Sequence, residues 1–309
     1  MKCSYHQAYQ VPLPPGHPFP MSKYPLLMAM LRAEGVLAAD DILQPEPPDI
    51  ETLGLAHTRE YLSKLESSGL SAAEQRRLGV PWSEALWRRS RLALAGTLSA
   101  ARAALVDGLA GNLAGGTHHA FADHGEGFCV LNDVAIATLK LRAEGGIRRA
   151  AIVDLDVHQG NGTAAIFERE DEVFTFSMHG ERNYPLAKMR SNLDVPLADG
   201  AGDAEYLDLL LRHLPTVLDT ARADIVFYVA GVDVAAKDRY GKLALTEEGI
   251  RLRDRWVIES VRGRGLPLVI VPAGGYAATP ERTAELHTHA FREAAAYELR
   301  AANALGADS

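Results

Sequence analysis

Two carboxylates and an imidazole follow an apolar segment of this chain at a spacing of two residues. Residues 150–153 are apolar and partly β-branched, which predicts a buried strand, and Asp154, Asp156 and His158 come directly after it. Alternate side chains of an extended chain point the same way, so these three should converge on one face. A single Asp at a strand end more often caps a backbone amide, but three convergent groups entering a Gly-x-Gly turn favour a metal or catalytic site.

A further ligand candidate, Asp233, follows another apolar run at 225–230. Together, Asp156, His158 and Asp233 offer two carboxylate oxygens and one imidazole nitrogen. This set suits a divalent ion such as Zn²⁺ and leaves coordination positions open for water and substrate. The sequence therefore predicts a metal centre with a catalytic geometry.

Two adjacent histidines, His118 and His119, follow a glycine-rich turn. Either one alone would more often be a satisfied structural residue, but beside a metal the pair should provide a general base and an electrostatic partner. Tyr276 follows Gly274 and Gly275. A Tyr in such a place usually packs, but near a metal its phenol can donate to a polarised carbonyl oxygen.

These groups together describe the metal-assisted hydrolysis of an acyl bond. The metal and Tyr276 would polarise the carbonyl, and the metal and a histidine would activate water. A histidine would then protonate the leaving amine. This chemistry requires no Ser or Cys nucleophile.

The chain that must position these residues has the pattern of an α/β protein. From residue 111 onwards, apolar runs alternate with helical stretches, which predicts a central, mostly parallel sheet with helices on both faces. Open parallel sheets bind ligands outside the carboxyl ends of their strands, so the polar segments should meet at one edge. The predicted strands are 150–153, 173–176, 225–230 and 268–271, and the predicted helices are 131–142, 203–221, 246–262 and 279–300. Before residue 111 we expect a strand at 3–9, a proline-rich loop at 11–20, and helices at 26–34, from about 57, and at 84–106.

The composition is that of an ordinary globular protein, with 309 residues, 47% hydrophobic and 23% charged. There is no apolar run near the roughly 20 residues of a membrane span, and the first residues lack the apolar core of a signal peptide, so we expect a cytoplasmic protein. Only Cys3 and Cys129 are present, which argues against a disulfide scaffold and a thiolate zinc site. The net charge of −8 without a Lys/Arg block argues against nucleic acid or an anionic membrane as a partner. We expect a single catalytic domain over residues 1–309, with a frayed tail at about 301–309.

Several of these motifs occur in the same order in a known family. Along the chain they are His17-Pro18, residues 57–62 (HTREYL), His118-His119, Gly127-Phe128-Cys129, residues 154–162, residues 230–233 (AGVD), Asp238-Arg239 and Gly274-Gly275-Tyr276. On the basis of these motifs, the sequence resembles the metal-dependent histone deacetylase family, which has the arginase/deacetylase fold. It is most similar to the class IV branch of that family. The resemblance covers nearly the whole chain.

For catalysis, the resemblance implies one Zn²⁺ per chain, bound by the three ligands named above. His119 would be the main general base and acid, assisted by His118, which Asp154 would orient. Tyr276 would stabilise the oxyanion. Asn161 stands where many members have an Asp that pairs with the second histidine.

The resemblance implies two further groups of residues. A buried monovalent cation, usually K⁺, would be bound by Asp154, Asp156, His158, Ser177 and Met178. The acyl tunnel would be lined by Gly127, Phe128, Tyr184 and Gly274, with Phe128 and Tyr184 as opposite walls. The rim loop around Val80 lacks the acidic residue that grips the substrate backbone in several relatives.

We therefore expect a zinc-dependent deacylase that removes acyl groups from amines, with acyl-lysine in proteins or peptides as the leading substrate. Within enzymes, the alternative is a small-molecule amide hydrolase acting on acylated polyamines. A non-catalytic acyl-lysine binder is a third class. A binder would tolerate the loss of Tyr276 or of a histidine, and this chain retains both, which argues against this class. Binuclear manganese hydrolysis of the arginase type needs extra bridging carboxylates that the motifs around Asp156 and Asp233 do not supply.

Overall fold

A sheet of eight parallel strands forms the centre of the computed structural model, which describes residues 1–307. The strands are β1 (Lys2–Ser4), β2 (Ile42–Leu43), β3 (Leu109–Asn112), β4 (Ala150–Asp154), β5 (Val173–Gly180), β6 (Leu193–Leu197), β7 (Ile225–Val229) and β8 (Leu268–Val271). From edge to edge their order is β2-β1-β3-β8-β7-β4-β5-β6, and each neighbouring pair is parallel. The predicted α/β class with a parallel sheet is confirmed.

Ten α-helices connect and cover these strands in the described part of the chain. They are α1 (Lys23–Ala33), α2 (Ile50–Leu53), α3 (Arg59–Glu66), α4 (Ala72–Leu78), α5 (Glu84–Asp107), α6 (Asp133–Ala143), α7 (Asn161–Phe167), α8 (Asp203–Ala221), α9 (Glu247–Arg262) and α10 (Pro280–Ala307). None of the helices in residues 1–307 combines the length and the apolar character needed to cross a membrane.

The alternation of side chains along the central strands divides the core into two apolar layers. On β4, Ala151 and Val153 pack in one layer with residues of α1, α8, α9 and α10, whereas Ala150 and Ile152 pack in the other with residues of α5 and α6. Both faces of a parallel sheet are covered in this way, which explains why its strands are continuous apolar runs. The predicted arrangement of helices on both faces is confirmed.

The structure differs from the predicted elements in several places. The strand expected over 3–9 ends at Ser4, because His6 Nδ1 accepts a hydrogen bond from the Ala8 amide and starts a short 3₁₀ turn. The sequence pattern also missed β3 and the edge strand β6, which carry Gly111 and Pro196 in place of an unbroken apolar run. The last helix extends to Ala307. The frayed tail expected from about residue 301 stays a prediction, and residues 308–309 lie outside the described residues.

Four neighbouring strands deliver the polar segments to one edge of the sheet. In the order β3, β8, β7, β4, the segments after their carboxyl ends carry His118 and His119, then Tyr276, then Asp233, then Asp156 and His158. Because all of the strands run the same way, these segments meet above the same edge.

Candidate active site

Three buried side chains meet at this edge in an arrangement that could hold a metal ion. The ligand atoms of Asp156, His158 and Asp233 all lie within 4.8 Å of one another. His158 Nδ1 lies 3.0 Å from Asp156 Oδ1 and 3.2 Å from Asp233 Oδ2. The three predicted ligands are therefore brought together, with the imidazole Nδ1 facing both carboxylates.

The surroundings of this triad fit a divalent cation. Asp233 Oδ2 is buried and accepts no hydrogen bond within residues 1–307, although its Oδ1 accepts one from the Val157 amide at 2.9 Å. Burial, together with the neighbouring Asp156 carboxylate, raises the pKa of Asp233 to about 7. Two buried carboxylates with one unsatisfied oxygen are costly without a cation, so the donor set and its charge suit Zn²⁺.

The segment that carries the first two ligands bends instead of staying extended. β4 ends at Asp154, and the chain turns through residues 156–158. Asp154 Oδ1 accepts a hydrogen bond from the Asp156 amide at 3.1 Å, and Asp156 Oδ1 accepts one from the His158 amide at 2.9 Å. The capping role considered for these Asp residues is thus present together with the convergence of Asp156 and His158.

Asp154 faces the histidine pair and not the ligand triad. Its Oδ2 lies 2.6 Å from His118 Nδ1, whereas His119 Nδ1 lies 2.7 Å from the Oδ1 of Asn161. Each imidazole is therefore oriented through its Nδ1 atom, one by a carboxylate and the other by a neutral amide. Asn161 is the first residue of α7, and its side chain does reach His119.

The two partners give the two imidazoles opposite pKa shifts. Burial lowers the pKa of His118, but the carboxylates of Asp154 and Asp156 outweigh burial and raise it to about 9. Burial, reinforced by the neighbouring His118 and His158, lowers the pKa of His119 well below its ordinary value. In the metal-free site these shifts favour a cationic His118, which suits an electrostatic partner, and a neutral His119, which suits a base.

A buried carboxylate at the start of α6 holds the turn that presents the histidines. The Asp133 carboxylate accepts hydrogen bonds from the Gly116 amide at 3.0 Å, the Thr117 amide at 2.8 Å and the hydroxyls of Thr117 and Thr97 at 2.5 Å. Gly115 and Gly116 have φ angles of 90° and 70°, which favour glycine. The glycine-rich turn therefore lets the backbone wrap around Asp133.

Tyr276 lies beside the triad at the end of the β8 segment and is buried. Its amide donates to Asp238 Oδ2 at 2.7 Å, and its carbonyl accepts from the Arg239 amide at 3.1 Å. Burial and the carboxylates of Asp233 and Asp156 raise the pKa of its phenol well above the ordinary value. The phenol therefore keeps its proton and can donate it in a hydrogen bond.

A cavity of about 350 Å³ opens from this site to solvent. His119, His158 and Tyr276 are among its lining residues, and Phe128, Tyr184 and Tyr240 supply aromatic walls. A second, narrower cavity of about 30 Å³ continues inwards past Gly127 and Gly274. All four residues predicted to line an acyl tunnel thus border these two cavities.

The residues predicted to bind a monovalent cation are neighbours behind the triad. Asp154 and Ser177 are paired across β4 and β5, and Met178 follows on β5. These residues are buried, as are Asp156 and His158. Ser177 Oγ lies 2.9 Å from His179 Nδ1.

The sequence motifs did not reveal two residues that support the site, Glu126 and Arg253. Glu126 Oε1 accepts hydrogen bonds from Asn161 Nδ2 at 2.6 Å and from the Tyr184 hydroxyl at 2.7 Å, so it links the partner of His119 to the pocket wall. The fully buried guanidinium of Arg253 donates to the carbonyls of Leu155 at 3.3 Å and Gly231 at 2.6 Å, which ties together the two segments that carry the ligands. Neither side chain lies at a strand end, so neither position had a signal in the sequence.

Comparisons with known proteins bear on the family and the fold. A model of the histone deacetylase domain matches residues 17–294. The chain is similar to an uncharacterised protein of Picosynechococcus sp., with 46% identity over 273 residues, 88% of this chain and 91% of that protein. It is also similar to the histone deacetylase-like amidohydrolase of Pseudomonas aeruginosa, with 30% identity over 285 residues, 86% of this chain and 74% of that protein. The crystal structure of the HDA15 HD domain has a similar fold, with a TM-score of 0.78, 22% identity, and coverage of 94% of this chain and 90% of that one.

Proposed function

The chain belongs to the histone deacetylase family, and from that premise we propose that it is a zinc-dependent deacylase that removes acyl groups from amines, chiefly from acyl-lysine in proteins or peptides. One observation carries this proposal. Asp156 and His158 of the ligand triad line the same cavity as the neutral imidazole of His119 and the protonated phenol of Tyr276. The third ligand, Asp233, has an unsatisfied carboxylate oxygen, and the ligand atoms of the triad lie within 4.8 Å of one another.

The residues of the chain supply complementary functions for this reaction. Asp156, His158 and Asp233 would hold Zn²⁺, which would supply Lewis-acid polarisation of the acyl carbonyl and a lowered pKa of water. His119 is neutral, with its Nδ1 proton directed at Asn161, so its Nε2 can accept a proton from water and return it to the leaving amine. His118, kept cationic by Asp154, stabilises the negative charge that develops. Tyr276 donates a hydrogen bond to the oxyanion.

One finer assignment, a monovalent cation site, belongs to the same proposal. We place a K⁺ ion beside Asp154, Asp156, His158, Ser177 and Met178. The pairing of Asp154 with Ser177 across two strands supports this site, since it brings a carboxylate and a hydroxyl together in the core. The similarity to the class IV branch and the cytoplasmic location stay predictions.

An activity panel tests the proposal. The zinc-loaded protein should release free amine from acyl-lysine peptides, and the panel should vary the acyl chain from acetyl to long fatty acyl and the carrier from lysine peptides to polyamines. Turnover of acylated polyamines alone would favour the small-molecule alternative. Folded, zinc-loaded protein that binds acyl-lysine but hydrolyses no substrate would be a binder, and the proposal would be wrong.

A further inference from the structure

Three cationic side chains surround the mouth of the catalytic cavity. Arg77 lies on α4, Arg182 in the segment after β5, and Lys242 in the segment between β7 and α9, and all three line the cavity and are exposed. Although they come from three separate parts of the chain, Lys242 and Arg182 lie side by side, since Lys242 Nζ donates to the Arg182 carbonyl at 2.9 Å. None of the three forms an ion pair with another residue of the range 1–307.

A carboxylate that contacts the wall of this cavity is already engaged. Glu126 contacts the wall residue Tyr184, but its Oε1 accepts from Tyr184 and Asn161, and its Oε2 lies 3.5 Å from His124 Nε2. Burial would raise the pKa of Glu126, but the hydrogen bonds from His124, Tyr184 and Asn161 outweigh burial and lower it, so Glu126 is an anion held by these three partners. Within residues 1–307, no Asp or Glu side chain lines the cavity at its mouth.

The positive charge at the mouth contrasts with the charge of the protein. The whole chain carries a formal net charge of −8, yet the opening of the cavity presents three cations. A cleft lined by charge of one sign concentrates ligands of the opposite sign and speeds their association. A cationic substrate such as a polyamine or a lysine-rich tail would be repelled at this mouth.

The cations lie outside the pocket that takes the acyl group. His119, His158 and Tyr276 border the cavity at its inner end, whereas Arg77, Arg182 and Lys242 are exposed to solvent. Groups that reach them therefore belong to the part of the substrate that stays outside. In an extended peptide, each residue advances about 3.3 Å, so side chains one or two positions from an inserted acyl-lysine would lie over these three cations.

We propose that the mouth formed by Arg77, Arg182 and Lys242 selects acidic peptides, in which carboxylate side chains flank the acyl-lysine. This inference rests on the proposed deacylase function and adds the chemical class of the carrier. The cations would raise the rate of productive encounter more than the final affinity, because exposed charges are screened and hydrated.

Three peptides that differ only in their flanking residues test the proposal. In each peptide, the two residues before the acyl-lysine and the two after it would be all Glu, all Ser or all Lys. We expect kcat/KM to fall from the Glu to the Ser to the Lys peptide, by roughly tenfold overall at low ionic strength. The difference should shrink at about 0.5 M salt, where the screening length is a few ångströms.

Variants of the rim separate charge from other effects. The double variant Arg77→Glu/Arg182→Glu should reverse the order of the three peptides, and Lys242→Glu should reduce the preference for Glu. Arg76→Glu is the matched control, since Arg76 is an exposed residue of the same helix that does not line the cavity. For this control, the ratio of kcat/KM for the Glu peptide to kcat/KM for the Lys peptide should stay near that of the unaltered protein. An unchanged ratio in the double variant would overturn the proposal.

The outcomes distinguish this inference from the function on which it rests. Hydrolysis of the Ser peptide shows that the protein is a deacylase, and equal rates for all three peptides would then overturn only the charge selection. Hydrolysis of none of them would contradict the deacylase and the inference with it. Nα,Nε-diacetyl-lysine, a small substrate with one carboxylate, should be hydrolysed less efficiently than the Glu peptide. An equal or higher kcat/KM would show that the three cations serve small acids, and the peptide part of the proposal would be wrong.

Discussion

The Nδ1 atom of His119 lies 2.7 Å from the Oδ1 atom of Asn161, so this imidazole donates its proton to a neutral amide. The adjacent His118 instead faces the Asp154 carboxylate at 2.6 Å. Because the hydrogen bond at Nδ1 fixes the tautomer, the Nε2 of His119 is left unprotonated. The two histidines are therefore prepared for different tasks by the charge of their partners.

The first prediction concerns the partner of His119. A carboxylate at position 161 would favour the imidazolium form and raise the pKa of His119. Asn161 Nδ2 also donates to Glu126, so Asn161→Asp alone would set two carboxylates against each other. We therefore expect the double variant Asn161→Asp/Glu126→Gln, in which glutamine supplies an N–H group, to move the acidic limb of kcat/KM to higher pH by about one unit.

The reference for this measurement is Glu126→Gln alone. A base must be neutral to accept a proton, so its activity falls as the pH drops through its pKa, and raising that pKa moves the fall to higher pH. Both proteins should be compared at equal zinc content. Coincident acidic limbs would mean that His119 does not control the profile through Asn161.

A second prediction concerns the metal ligands. We expect His158→Ala or Asp233→Ala to remove both zinc and activity, because a site with two remaining protein ligands binds far more weakly. The zinc content of the purified variants, measured by elemental analysis, checks this expectation, with circular dichroism as the control for folding. Full zinc occupancy in either variant would show that the ligand assignment is wrong.

A third prediction concerns the phenol of Tyr276. Tyr276→Phe keeps the aromatic contacts with Tyr240 and Phe128, whose ring centroids lie 4.9 and 6.0 Å away, but removes the hydroxyl. We expect kcat to fall by roughly 10²-fold or more, the usual loss when one oxyanion donor is removed. Zinc content and thermal midpoint should stay unchanged. An unaltered kcat would show that the ring only packs.

A fourth prediction concerns stability and the buried His57. Its Nδ1 donates to the Phe121 carbonyl at 2.9 Å, its Nε2 accepts from the Asn132 amide at 3.0 Å, and burial lowers its pKa to about 4. The unfolded chain, with an ordinary His pKa of about 6.5, therefore binds more protons at pH 5 than the folded chain does. Through His57, the free energy of unfolding should therefore fall by about 2 kcal/mol when the pH is lowered from 7 to 5.

The variant His57→Gln isolates this contribution. Glutamine offers a donor and an acceptor but does not titrate. The variant protein should therefore lose less stability than the unaltered protein when the pH is lowered from 7 to 5. Urea unfolding at both pH values measures the difference, and the titration of all other groups cancels in the comparison. An equal loss in both proteins would mean that His57 does not stay neutral when folded.

The sequence predicted the central strands better than the edges of the sheet. β4, β7 and β8 are buried on both faces, so their runs are continuously apolar and visible without knowledge of the neighbours. β3 consists of Leu-Ala-Gly-Asn and resembles a turn, and it becomes a strand only through pairing with β1 and β8. In β3, the Asn112 side chain accepts a hydrogen bond from the Tyr9 hydroxyl at 2.9 Å, which joins positions that are far apart in the chain.

The same distinction applies to the site. Asp156, His158 and Asp233 follow apolar strands, so their convergence at one edge could be inferred from order along the chain. Glu126 lies in an irregular segment, and its contacts with Asn161 and Tyr184 depend on how two loops pack against the start of α7. No local spacing encodes such a contact.

The final prediction concerns Gly274, whose backbone lies against two of the ligands. Its amide donates to Asp156 Oδ2 at 2.7 Å, and a Cβ atom built there would collide with the Oδ2 atoms of both Asp233 and Asp156. Gly274→Ala must therefore displace a ligand oxygen or the strand end. We expect at least a tenfold loss of zinc affinity with the fold retained, since misplacing a ligand or its support typically costs 10- to 100-fold.

Competition with a chelator measures the zinc affinity, and thermal unfolding of the metal-free protein measures the fold. Gly146→Ala is the matched control, because the nearest atom to its added Cβ is the Leu141 carbonyl oxygen at 3.5 Å, an ordinary contact. That variant should bind zinc like the unaltered protein. If Gly274→Ala also kept full affinity, the backbone at Gly274 would be free to move away from the carboxylates, and the close approach would not define the metal site.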